Sequence, residues 1–170
     1  MGRAAALITS LDARLNKLGC QTLRDVPLQE GITADVVGTR SYFSWSGLVT
    51  LEQHLLLLTL AEASVADSER LFDAGYRWAS ETNAMARVGE QQLGYIVVPV
   101  LAVSRPTAEL IRYVEGAPRR RTALFEFPVV VDLEAGSVHC CGRTVWWGAL
   151  YYSDMRELVD RCLVPALAET

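Results

Sequence analysis

The chain has 170 residues, a formal net charge of −4, 51% hydrophobic residues and 21% charged residues. That balance excludes a disordered chain and suits one domain with a substantial core. No apolar run reaches the roughly 18 to 20 residues of a membrane span. The acidic balance disfavours general nucleic-acid affinity and leaves room only for a local basic patch.

Ala4 to Leu18 places Leu7, Leu11, Leu15 and Leu18 on one helical face, and Gly19 supplies a stop. Asp12 and the continuing periodicity make this the first helix rather than a signal peptide. Ala6 stands where a myristoylation signal needs Ser or Thr. A short strand follows over Thr22 to Leu28. Ile32 to Phe43 is a β-rich run, Ser44-Trp45-Ser46-Gly47 carries turn residues, and Leu48 to Ala61 returns with an almost wholly apolar end. Such an end suits a strand buried on both faces. With the turn centred near Ser46-Gly47, Asp35 falls opposite residues 57 to 59, and Glu62 lies just beyond. Glu52 pairs near Ser41, about 20 Å along the strand at ~3.3 Å per residue. That separates Glu52-Gln53-His54 from any metal held by Asp35. His54 reads as a satisfied strand histidine, with no Ser or Cys at a diagnostic spacing.

Ser64-Val65-Ala66-Asp67 resembles a capping box and opens a helix to about Glu81. Leu71, Ala74, Gly75 and Trp78 turn inward on it, although Gly75 costs roughly 1 kcal/mol against Ala. Leu93 to Val103 is a further buried strand, with Pro99 marking a bulge or an edge. Pro106 begins a helix that ends at Gly116. Arg119, Arg120 and Arg121 form the one basic patch, a solvated loop or a phosphate contact. Thr122 to Leu133 and Ser137 to Cys141 flank the hairpin turn Glu134-Ala135-Gly136. Trp146, Trp147, Tyr151 and Tyr152 follow, the densest aromatic cluster in the chain. They either cover the sheet or form an interface. Ser153 reads as the N-cap of a last helix with Met155, Leu158, Val159 and Cys162 inward, ended or bent by Pro165. The four cysteines lack metal-site spacing and read as buried free thiols in a reducing, cytoplasmic setting.

The order helix, three strands, helix, strand, together with Thr33-Ala34-Asp35, resembles the restriction-endonuclease-like fold, the PD-(D/E)xK superfamily, over about Ala4 to Glu115. The resemblance puts Asp35 at the family's Pro-Asp. It also implies an acid and a lysine, two residues apart, at the end of the third strand. This chain reads Thr59-Leu60-Ala61-Glu62-Ala63-Ser64 there. With Glu62 as the acid, Ser64 takes the lysine position. With Glu62 in the lysine position, Leu60 replaces the acid. The single lysine, Lys17, lies in the first helix, against fifteen arginines. That ratio and the abundant Ala, Leu and Val suggest a GC-rich bacterial genome. Phe43-Ser44-Trp45 and Trp146-Trp147-Gly148 also resemble strings in uncharacterised bacterial proteins.

These readings give one α/β domain over residues 1–170. Residues 1–116 form a nuclease-like core, and residues 117–170 a C-terminal hairpin and helix extension. The sheet is mixed, flanked by helices, and holds the strands near Asp35, Leu57, Val97 and Val129. The function expected is a catalytically degenerate nuclease fold, without a cofactor, acting through protein–protein contact as a homodimer or with another protein. The alternative is a divergent nuclease in which Asp35 and Glu62 hold Mg²⁺, with Arg40 or Arg121 standing in for the lysine's charge. A small-molecule module using the aromatic surface is a third reading.

Overall fold

The computed structural model describes residues 2–44, 49–82, 94–116, 120–121, 124–125, 127–143 and 149–170. Helix α1 (Arg3–Lys17) leads into β1 (Gln21–Pro27), a 3-10 turn (Gln29–Gly31), β2 (Thr33–Ser44) and β3 (Val49–Leu60). Helix α2 (Val65–Thr82) crosses over to β4 (Gly94–Val103), and α3 (Ala108–Glu115) follows. The two-residue strands β5 (Arg120–Arg121) and β6 (Leu124–Phe125) form a separate ribbon. Strands β7 (Val129–Asp132) and β8 (Ser137–Cys140) complete a six-stranded sheet ordered β1-β2-β3-β4-β7-β8. The chain ends in α4 (Ala149–Leu158), a π-helical turn (Val159–Leu163) and α5 (Val164–Ala168).

The sheet is mixed. β1, β2 and β3 form an antiparallel meander, β3, β4 and β7 run parallel, and β8 returns antiparallel. Alternation along the strands sends residues to two cores. Val36, Leu55, Leu57, Val98 and Val100 pack with α1, α4 and the π turn on one side. Val37, Leu56, Val97 and Leu101 pack with α2 and α3 on the other. The result is one α/β unit with helices on both faces of a single sheet. No described helix is long and apolar enough to cross a membrane.

The local signals explain the boundaries. Ser64 Oγ donates to Asp67 Oδ2 at 2.7 Å and accepts from the Asp67 amide, closing the capping box before α2. Thr107 caps α3 through the Leu110 amide at 3.2 Å, so Pro106 sits just ahead of the helix rather than inside it. Gly136, at φ +65°, makes the β7–β8 turn, helped by Asp132 accepting from Ala135. Gly75 serves close packing: a Cβ there would stand 3.0 Å from Leu56 Cδ2. Pro99 lies inside β4, one residue before the pairing with β7 begins at Val100. The sheet therefore accommodates its missing N–H where the ladder is still one-sided. Ser10 and Arg14 of α1 both bond the Glu169 carboxylate and tie the chain's two ends together.

Three local expectations are corrected. Ser153 is not an N-cap, because α4 already begins at Ala149, within a run of helix formers. The long strand expected over Thr122 to Leu133 is interrupted, and β7 starts only after Pro128, which has no N–H to donate. Pro165 does not end the last helix. It falls in the first turn of α5, directly after the π turn, where a missing N–H is tolerated.

Tyr152 is fully buried and packs its ring 5.9 Å from that of Phe127. This ring belongs to the core and offers no surface to a partner. Replacing Tyr152 with Ala should therefore lower unfolding stability by about 3 to 5 kcal/mol. Urea denaturation checks this, and a loss below about 1 kcal/mol would contradict the core assignment.

Candidate functional site

Asp35 and Glu62 do different jobs in different places. Asp35 is half-buried on β2, and its Oδ2 accepts the Thr59 backbone N–H at 2.6 Å. The pairing of β2 with β3 ends at Val36↔Leu57, so Asp35 lies just beyond it and beside Thr59, within the span that the turn position implied. The end of β3 beside it reads Leu58-Thr59-Leu60 and carries no charged side chain. Glu62 lies past the end of β3 and is exposed. It lines a cleft of about 780 Å³ at the carboxyl ends of β3 and β4, and Asp35 does not line that cleft. Several polar groups there are already engaged: Asp67 with Ser64, Arg105 with Glu134 at 2.6 Å, and Thr107 as a cap. Among the described residues, no group of three His, Cys, Asp or Glu side chains could hold a metal ion.

The unusual chemistry lies at the other end of β3. Four polar or charged residues are buried among those described, and three of them are consecutive: Glu52, Gln53 and His54. A central strand puts these side chains on alternate faces. Gln53 turns toward α4, where its Oε1 accepts from Arg40 Nε at 2.9 Å and its Nε2 donates to the Asp154 carbonyl at 3.3 Å. Tyr42 donates to Asp154 Oδ2 at 2.6 Å, and the Arg40 guanidinium lies 5.1 Å from the Tyr42 ring centroid. Burial, and then the Asp154 carboxylate, push the Tyr42 phenol well up. This side is a closed network with every named group engaged.

Glu52 and His54 face α2. His54 is 1% exposed. Its Nδ1 lies 3.0 Å from Thr39 Oγ1, its cross-strand partner, and Trp78 of α2 meets the ring edge-on with centroids 5.6 Å apart. Its Nε2 approaches Glu52 Oε1 to 3.1 Å, yet that nitrogen has no aligned hydrogen-bond partner. The approach is thus a contact of poor angle, worth less than its length suggests. Burial pulls the His54 pKa down to about 4, so the ring is neutral at pH 7. Burial also raises the Glu52 carboxyl. Above these groups opens a cleft of about 550 Å³, walled by Leu23, Thr39, Ser41 and Trp78. Leu23, at 54% exposed, and Phe43, at 47%, both belong to the side of the sheet that bears this cleft. A neutral imidazole, a hydroxyl and a desolvated carboxyl over an apolar rim suit ligand recognition, since perturbed groups in a cleft concentrate at functional sites.

The remaining candidates are placed as follows. Trp146, Trp147 and Arg119 lie outside the described residues. Tyr151 falls in α4, and Arg120 and Arg121 form β5; their side chains lie outside the described set. Cys20, Cys140, Cys141 and Cys162 are all free thiols. Burial raises Cys140 to about 11 and Cys162 to about 12, which makes both poor nucleophiles.

Comparison with family models, with curated proteins and with solved structures finds no match for this chain.

His54 gives the site a pH signature. Its folded pKa of about 4 lies below the ordinary 6.5, so the unfolded chain binds the extra proton first. Its stabilisation is complete above pH 6.5 and is lost as pH falls toward 4. Between pH 7 and pH 5 the loss should be about 2 kcal/mol. Glu52 acts in the opposite sense, because its raised pKa favours the folded state in acid. Urea titrations of wild type and His54→Gln at both pH values isolate the histidine. The variant should lose about 2 kcal/mol less across that interval, and equal losses would contradict a buried neutral ring.

Proposed function

We propose that the protein works by binding a protein partner through the open, α2-side face of the β1–β3 meander, on a nuclease-like core that is catalytically silent. The observation that carries this reading is the set of residues around Asp35. The family resemblance would put an acid and a lysine at the end of the third strand, and the chain reads Thr59-Leu60-Ala61-Glu62-Ala63-Ser64 there, which supplies that pair in neither register. Asp35 itself is engaged with the Thr59 amide, and Glu62 opens into another cleft. Arginine cannot supply the missing base at neutral pH.

Binding draws its support from what surrounds the polar floor. Among the described residues, Leu23 and Phe43 are exposed large apolar side chains on this face, beside half-buried Trp78. Large apolar side chains such as these can supply the apolar centre that a protein interface buries. The partner is a second copy of this chain or a different protein, met in the cytoplasm, where free thiols persist.

With Mg²⁺ or Mn²⁺, the purified chain should cut neither DNA nor RNA above background. Asp35→Ala should cost about 1 to 3 kcal/mol of stability by stranding the Thr59 N–H. Cleavage that disappears in both Asp35→Ala and Glu62→Ala would overturn the silent-core reading in favour of a metal-dependent nuclease. Light scattering identifies the partner. Twice 18.7 kDa, falling to 18.7 kDa in Leu23→Glu, marks a symmetric pair on this face. A monomeric wild type assigns the face to a different protein. A dimer untouched by Leu23→Glu would contradict self-association at this surface.

A further inference from the structure

We propose that the cleft over β1–β3 is a receptor for a primary ammonium carried on an apolar body, with Glu52 as its counter-charge. The inference rests on the binding reading above and names the chemistry of what binds.

Glu52 is 9% exposed and lines the cleft. Its one charge-capable contact among the described residues is His54, at 3.1 Å. Arg40 also lines the cleft, but its Nε donates to Gln53, whose side chain lies on the other face of the sheet from Glu52. A desolvated carboxylate without a cation is a standing cost that a ligand's positive charge removes. The second observation is independent. His54 Nε2, in a side chain 1% exposed, lies in the same cleft without an aligned partner.

The geometry selects the cation. Glu52 Oε1 is turned to His54, which leaves Oε2 to meet a ligand. A guanidinium gains its fork-shaped advantage only where both oxygens are open, whereas an ammonium is a point charge with three rotatable donors. Its other N–H groups meet the hydroxyls of Thr39 and Ser41, the cross-strand partners of His54 and Glu52. The apolar body rests on Leu23 and on Trp78, whose ring also favours a nearby cation. An anion would face the Glu52 carboxylate, and a divalent metal would find one carboxylate. Two sources carry this chemistry: a lysine side chain of a protein partner, and a free apolar amine.

The test uses the full chain under conditions where sizing gives the monomer. NMR follows the His54 ring and the Leu23 methyls during titration with two matched pairs. One is benzylamine against benzyl alcohol. The other is Nα-acetyl-lysine methylamide against Nα-acetyl-norleucine methylamide. The ammonium member of at least one pair should saturate and bind about tenfold tighter than its neutral partner, the effect of one charge-assisted contact. Tighter binding of the blocked lysine assigns the site to a partner's side chain, and tighter binding of benzylamine to a free amine. Glu52→Gln should erase the difference within each pair. Ser41→Lys gives an answer even where Glu52→Gln folds poorly. It places an ammonium across from Glu52, so its Tm should rise and benzylamine should no longer bind. Equal binding of charged and neutral members overturns the proposal, as does the absence of any saturable shift, or wild-type benzylamine binding by Ser41→Lys. Those failures leave the silent core standing, which falls only to nuclease activity that requires Asp35 and Glu62.

Discussion

β3 is hydrogen-bonded on both edges and buried on both faces, and the rest of the molecule is arranged around it. It pairs antiparallel with β2 from Val36 to Ser44 and parallel with β4 from Gly94 to Val103. Leu55 and Leu57 enter the core beneath α1 and α4, while Leu56 enters the core beneath α2. Each fully buried leucine contributes about 1.5 to 3 kcal/mol. A one-residue slip would exchange the two faces, so these leucines also fix the register that positions Asp35, Glu52 and His54. The same strand has a polar half. Glu52-Gln53-His54 stands where a doubly buried strand would ordinarily continue with Val, Ile or Leu.

The two sides of that polar half differ in how completely they are satisfied. Gln53 is held by Arg40 and by the Asp154 carbonyl, and Tyr42 closes the group. That network fastens α4 to the sheet and accounts for itself structurally. Toward α2, His54 has Thr39 and the Trp78 ring, Glu52 lacks a cation among the described residues, and the space above them is open. An incompletely satisfied polar group beneath a cleft is a poor way to hold a sheet together and a good way to recognise a ligand.

Much of the fold was legible because its signals are local. Apolar periodicity marked α1 and α2, the Ser64–Asp67 pair marked a helix start, and turn residues placed the β2–β3 and β7–β8 hairpins. Counting back from the first of those turns sets Asp35 opposite residues 57 to 59 and Glu52 near Ser41, and the register pairs Ser41 with Glu52. Breaks that depend on tertiary context were less visible. The start of α4 ahead of Ser153, and the π turn that carries the chain past Pro165, follow from packing against the sheet. The candidate site is hard to see in the sequence for a similar reason. Glu52-Gln53-His54 lies far along the strand from Asp35. Thr39 and Trp78, however, reach His54 from 15 and 24 residues away in sequence, through a strand pairing and a helix crossover. The one local clue was the run itself, three polar residues entering an otherwise apolar strand. Tyr152 illustrates the converse: an aromatic cluster dense in sequence supplies at least one ring to the core.

The central claim is that Thr39, Glu52 and His54 serve recognition and that the fold has no need of them. Proteins retain such groups at a cost in stability. The most direct measurement is urea unfolding at pH 7 of the triple variant Thr39→Val, Glu52→Leu, His54→Leu, which replaces the polar pair of β3 and its β2 neighbour by apolar side chains. Replacing a buried polar cluster by apolar residues of similar volume is commonly neutral or stabilising by about 1 to 4 kcal/mol. The triple variant is expected to match or exceed the wild type in stability while keeping its native spectrum. A loss of more than about 2 kcal/mol would contradict the account and make these three residues part of what holds the sheet together.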